Sequence, residues 1–152
     1  MKKAVTIFIA TAAYAGYSPV MPGTVGTLWG IAIAYLEAST PLYTQALVMV
    51  LVFAISVFFA GEAAAILGGD DPQNVVCDEV CGFLVSISLI KFTILNVILV
   101  FLLFRFFDIL KPYPVSLIDR KVKGGLGIVL DDVAAGIYAN ICAHIILWLP
   151  RI

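Results

Sequence analysis

Ten acidic residues are all that this chain of 152 residues contains, and most fall into short groups: Asp70-Asp71 before Pro72, then Asp78-Glu79, Asp108, and Asp131-Asp132. Their surroundings are strongly apolar, where a carboxylate is costly unless it is paired, hydrated or bound to a cation. Carboxylates drawn together from separate segments therefore point to a divalent-metal site. An all-oxygen donor set favours magnesium or manganese over zinc.

The candidate ligands are Asp78, Glu79, Asp108, Asp131 and Asp132, with Asp71 in a lesser place. Helix capping could explain Asp131 or Asp132 singly, but not the presence of the other acidic groups near the same predicted face. Asp119 has basic neighbours that explain it as an ion-pair partner, and Glu37 and Glu62 are left out. Arg105 and Lys111 flank Asp108 and, with Arg120, could neutralise a phosphate. Ser18, Thr24 and Thr27 could donate hydrogen bonds to it, while Gly23 and Gly26 would let backbone amides approach an anion. Gly124, Gly125 and Gly127 could cradle phosphate ahead of a helix, or serve only as a flexible connection. Lys121 and Lys123 suit anchoring at a membrane surface.

Other chemistries are poorly supplied. Cys77, Cys81 and Cys142 are an odd number without the paired partners of a structural zinc site. The sole histidine, His144, cannot support a paired-histidine phosphatase and is expected to hydrogen-bond between helices. A net charge of -1 and the lack of a long basic run argue against nucleic acid as a partner.

The elements that must hold these residues are membrane helices. Of the chain, 62% is apolar and 12% charged, against roughly 25% charged in a soluble domain, and the mean hydropathy is +1.10. No linker or repeat divides residues 1–152, so a single all-α domain is expected. Apolar stretches near 24–39, 42–67, 80–90, 92–108 and 128–149 predict a polytopic transmembrane helical bundle of four to five segments. The third and fourth form a short hairpin near 80–108 that turns at Lys91. The first residues imitate a secretory signal, yet the turn-rich stretch from Tyr17 to Thr24 favours its retention.

Alternation of the segments places the N-terminal loop, the 68–79 loop and the polar 109–127 loop on one side. Lys2, Lys3, Arg105, Lys111, Arg120, Lys121 and Lys123 lie near it, whereas Lys91 and Arg151 fall opposite, so this side is expected in the cytoplasm. Gly26, Gly30 and Ala34 form a stripe for close helix packing. Asp132, Gly136, Asn140 and His144 form a polar stripe that should face protein. A small ion transporter or channel using that stripe is the alternative to an enzyme.

Four blocks resemble the bacterial phosphatidylglycerophosphatase A family. They are Gly16-Tyr17-Ser18-Pro19 with Pro22-Gly23-Thr24-Val25-Gly26-Thr27; Asp71-Pro72-Gln73 with Val76-Cys77-Asp78-Glu79-Val80-Cys81-Gly82; Phe104 to Pro114 around Asp108; and Gly124 to Gly136 around Asp131-Asp132. The resemblance implies hydrolysis of the terminal phosphate of phosphatidylglycerophosphate, giving phosphatidylglycerol and inorganic phosphate in phospholipid biosynthesis. It also implies a requirement for magnesium and an active site at the cytoplasmic face of the bacterial inner membrane, with membrane lipids as the other partners. A water activated by the metal is favoured over an aspartyl-phosphate intermediate, since no Asp-x-Asp-x-Thr motif is present.

Overall fold

The computed structural model describes residues 2–69 and 71–149. Asp70 and Arg151, both used above, lie outside the described residues. All the regular structure described is helical: α1 (Lys2–Ala10), α2 (Pro22–Glu37), α3 (Leu42–Leu67), α4 (Cys77–Ile87), α5 (Ile94–Leu110), α6 (Val115–Lys121) and α7 (Gly124–Trp148), with a 3-10 turn at Ala15–Tyr17.

Every predicted apolar stretch is a helix, 42–67 with the expected bounds and the others with bounds shifted by a few residues. Two helices, α3 with 26 residues and α7 with 25, are long and apolar enough to cross a membrane. By contrast α2 and α5, with 16 and 17 residues, run about 24–26 Å at 1.5 Å per residue. The 80–108 segment is indeed two helices, α4 and α5, joined through residues 88–93 with Lys91 exposed. One expectation needs correction: residues 109–127 are not simply a polar loop, because α6 forms within them and packs on α7.

The central packing element is the short helix α4, of 11 residues. Nine of the eleven residues of α4 are buried, and α2, α3, α5 and α7 all pack around it. Small residues permit this closeness. A Cβ on Gly136 of α7 would crowd the Gly82 carbonyl of α4 and sit 3.2 Å from Ser86 Oγ. The stripe on α2 does the same, with Gly26 against Val76 and Gly30 against Val80 and Phe83. Ala135, Ala139 and Ala143 complete the buried face of α7.

Large apolar side chains point the other way. Leu47, Leu51 and Phe58 on α3, Ile98 and Leu102 on α5, and Ile137 and Ile141 on α7 are exposed, a surface suited to lipid rather than water. Replacing Gly136 with Leu should separate α4 from α7 and lower stability by about 1–3 kcal/mol, the usual cost of overpacking. Thermal unfolding in detergent measures this; an unchanged midpoint would show that the α4–α7 contact does not limit stability.

Candidate functional site

Three separate tethers position the first turn of α4. The Val76 N–H donates to the Ala10 carbonyl at 2.9 Å, the Asn74 amide donates to the Gly16 carbonyl at 3.0 Å, and the Ser56 hydroxyl donates to the Cys77 carbonyl at 2.8 Å. The turn so fixed carries Asp78 and Glu79, whose negative charge is favoured at a helix N-terminus. It faces the first half of α7, which carries Asp132, and the last turns of α5, which carry Arg105 and Asp108.

Asp78, Glu79 and Asp132 bring carboxylate oxygens within 4.8 Å of one another. Asp78 and Asp132 are only 7% and 4% exposed. Each of the three has one buried oxygen without a partner: Asp78 Oδ1, Glu79 Oε2 and Asp132 Oδ2. Asp108 reaches Asp132, and Asp78 reaches Glu79, carboxyl to carboxyl. Carboxylates in such proximity require a shared proton or a cation, so buried oxygens left open in this way fit a divalent ion held by the three.

Arg105 is the nearest fixed positive charge. Its Nη1 lies 2.7 Å from Asp108 Oδ2 and 3.8 Å from Glu79 Oε1, while its Nε is buried without a partner. Gly23, at the start of α2, closes the site on the other side. A Cβ there would run into the Glu79 carboxylate and lie 3.1 Å from both terminal nitrogens of Arg105. The next residue, Thr24, has a buried hydroxyl without a partner.

Asp131 is separated from Asp132 by helical geometry, since successive residues of a helix diverge by about 100°. Its Oδ2 lies 2.6 Å from Lys111 Nζ, which also contacts Asp119 Oδ1 at 2.7 Å. Burial would lower the Lys111 pKa, but the hydrogen bonds to Asp119 and Asp131 outweigh it and raise the pKa above the usual lysine range. The other Asp131 oxygen, Oδ1, is buried without a partner. Lys111 thus ties α6 to α7 beside the three-carboxylate group.

The structure sorts the remaining candidates. Thr27 is fully buried and donates its hydroxyl to the Gly23 carbonyl at 2.8 Å, which removes it from contact with a phosphate. Ser18 folds onto its own loop by donating to the Val20 carbonyl at 2.9 Å. Arg120 is exposed and makes no ion pair among the described residues. The glycine-rich start of α7 is a packing device rather than a cradle, with Gly125 against Val57 and Gly61 and Gly127 against the Val122 carbonyl.

His144 also needs correction. It is exposed instead of bridging helices, because the polar stripe leaves the packed face at its far end. Asn140 is still inside it, donating to the Ser86 and Ser88 carbonyls at the end of α4. Gly23, expected to let backbone amides approach an anion, instead lets the Glu79 and Arg105 side chains approach α2 and so forms a wall of the carboxylate group. Only its place in a turn-rich block beside Thr24 could have signalled it.

Replacing Lys111 with Met would strand the 4%-exposed Asp131 carboxylate. The expected loss is about 2 kcal/mol, below the usual range for a buried pair because Asp119 is half in solvent. Chemical unfolding of the variant in detergent checks this. Restoration of wild-type stability by adding Asp131→Asn would confirm the pairing as the cause.

Comparison with known proteins adds an independent line. A family model described as phosphatidylglycerophosphatase A matches residues 8–147. The phosphatidylglycerophosphatase A of Escherichia coli K12 is 34% identical over 123 residues, covering 80% of this chain and 72% of the relative. That of Haemophilus influenzae is 36% identical over 122 residues, covering 79% and 75%. A Bacteroides thetaiotaomicron protein provisionally named a phosphatidylinositol-3-phosphatase is 34% identical over 151 residues, covering 94% of each chain. No solved structure matches. With the match running through all four helices that carry the acidic and basic site residues, the chain belongs to the phosphatidylglycerophosphatase A family.

Proposed function

We propose that this protein hydrolyses phosphatidylglycerophosphate to phosphatidylglycerol and inorganic phosphate, with magnesium, at the cytoplasmic face of the bacterial inner membrane. The observation that carries the chemistry is the buried group of Asp78, Glu79 and Asp132, each with an open oxygen, beside Arg105. The names of the Escherichia coli and Haemophilus influenzae relatives support the substrate. The cytoplasmic orientation is supported by Arg105, Lys111, Arg120, Lys121 and Lys123 at the site's end of the bundle, against Lys91 at the other.

Asp78, Glu79 and Asp132 would hold the metal, with Asp108 next to them. When bound, the ion would offset charge on the phosphoryl oxygens and acidify a water. Arg105 neutralises the phosphate from the side of α5, and the free Thr24 hydroxyl donates to one of its oxygens. One carboxylate beside the ion accepts the proton of the attacking water, while Lys111 holds Asp131 next to the group. The new P–O bond forms to water oxygen as the bond to the glycerol oxygen breaks. That oxygen takes up a proton from the carboxylate that received it, or from solvent water, as phosphatidylglycerol leaves.

The experiment is phosphate release from short-chain phosphatidylglycerophosphate and phosphatidylinositol 3-phosphate by the purified protein in detergent. Turnover of the first should exceed that of the second, vanish on chelation and return with magnesium. Asp132→Asn should reduce kcat by about a hundredfold or more, in the range found for loss of one stabilising group, with the unfolding midpoint retained. Preference for the inositol lipid would overturn the substrate assignment, and undiminished turnover by Asp132→Asn would overturn the site.

A further inference from the structure

A second feature adjoins the carboxylates. On the other flank of α4 lies a cavity of about 230 Å³, room for roughly eight groups of water size at about 30 Å³ each. Its lining is almost entirely apolar, with Trp29 and Ile33 from α2, Val52 and Ile55 from α3, and Cys77 and Val80 from α4. Its one hydroxyl, on Ser56, is already donated to the Cys77 carbonyl.

Cys77 and Val80 bracket Asp78 and Glu79, so a single turn of α4 has carboxylates on one side and the cavity on the other. A helix with its side chains is about 10 Å across. Trp29 and Ile33 follow Gly23 along α2 and lie about 9 and 15 Å further along its axis, at 1.5 Å per residue. The cavity therefore begins near the site's end of α2 and follows that helix away from the loops, open along one side at Phe8, Trp29 and Ile55.

The lip of the cavity is conformationally unusual. Ala12 and Ala13 line it, and Ala12, Ala13 and Tyr14 have consecutive φ angles of 44°, 55° and 66°. Three successive non-glycine residues in the left-handed region are a strained arrangement of the kind found at ligand clamps. The strained segment leads directly into the 3-10 turn and the loop that delivers Gly23 and Thr24 to the site.

We infer that this cavity receives an acyl chain of the lipid substrate, with the 12–14 segment as its lip, so that lipid length is read next to the phosphate site. The inference rests on the lipid-phosphatase reading and names the part of the substrate that the carboxylates do not touch. A chain docked here would anchor the lipid through apolar burial, and the polar headgroup would pass over the first turn of α4 to Arg105.

The test compares dihexanoyl with dioleoyl phosphatidylglycerophosphate, using Ile55→Trp to fill the cavity and Trp29→Ala to remove a wall. Trp29 and Ile55 are 47% and 46% exposed, so the two variants make opposite changes without cutting into the core. Each should raise KM for the dioleoyl lipid about tenfold while turnover of the dihexanoyl lipid stays within about twofold. Equal loss on both lipids, or loss on neither, would overturn the inference. A dioleoyl substrate carrying a diazirine in one chain supplies a readout that does not depend on turnover. Its crosslinks should map to residues 29–33 and 52–56 and exceed those of a diazirine phosphatidylcholine. Equal labelling by the two would mark a general lipid contact and sink the proposal. Failure of the unaltered protein to hydrolyse either substrate would instead refute the phosphatase reading, with the crosslinks still deciding what occupies the cavity.

Discussion

Burying carboxylates inside an apolar helical bundle is the constraint from which the other features follow. Removing an ion from water costs several kcal/mol even after relaxation, and here Asp78, Asp131 and Asp132 are all less than 8% exposed. Lys111 offsets Asp131, and Arg105 stands against Asp108 and Glu79. The positive charge nearby is still insufficient for Asp78 and Asp132, whose open oxygens are matched by a metal ion better than by any side chain present. Stability and chemistry are therefore in tension at this point, as expected where a binding site is prepared in advance of its ligand.

The bundle tolerates this because of where it places α4. A helix of 11 residues is too short to cross a bilayer, yet at the centre of its neighbours it needs no contact with lipid. Glycines at 82 and 136 let α7 approach its backbone closely, and Gly26 and Gly30 do so from α2. The close approach keeps Asp78 and Glu79 at fixed depth relative to Asp132. Its loop is held by α1, α3 and the segment before α2 through backbone, hydroxyl and amide hydrogen bonds, so uncharged contacts determine where the charges stand.

Family membership and geometry answer different questions. Relatives at 34–36% identity include proteins named for two different lipid phosphates, so similarity alone leaves the headgroup open between them. On the proposed reading, the carboxylate group would serve phosphate chemistry common to both. Discrimination would then come from what surrounds the phosphate, and the apolar cavity beside the first turn of α4 is one such feature.

Much of the architecture was legible in the residues because apolar run length is a local property. The five apolar stretches became helices, and Lys91 marked a turn since its charge would be costly at mid-bilayer. The membrane environment, the acidic candidates and the four family blocks were likewise readable from composition and order. Tertiary structure decided how the acids divide. Adjacent Asp131 and Asp132 point apart along the helix, one to Lys111 and one to Asp78 and Glu79. It also withdrew Thr27 into a backbone hydrogen bond, turned His144 outward and set Gly125 of α7 against α3 and Gly136 against α4. These outcomes depend on which faces of distant helices meet, a non-local matter that residue type and spacing constrain but do not determine.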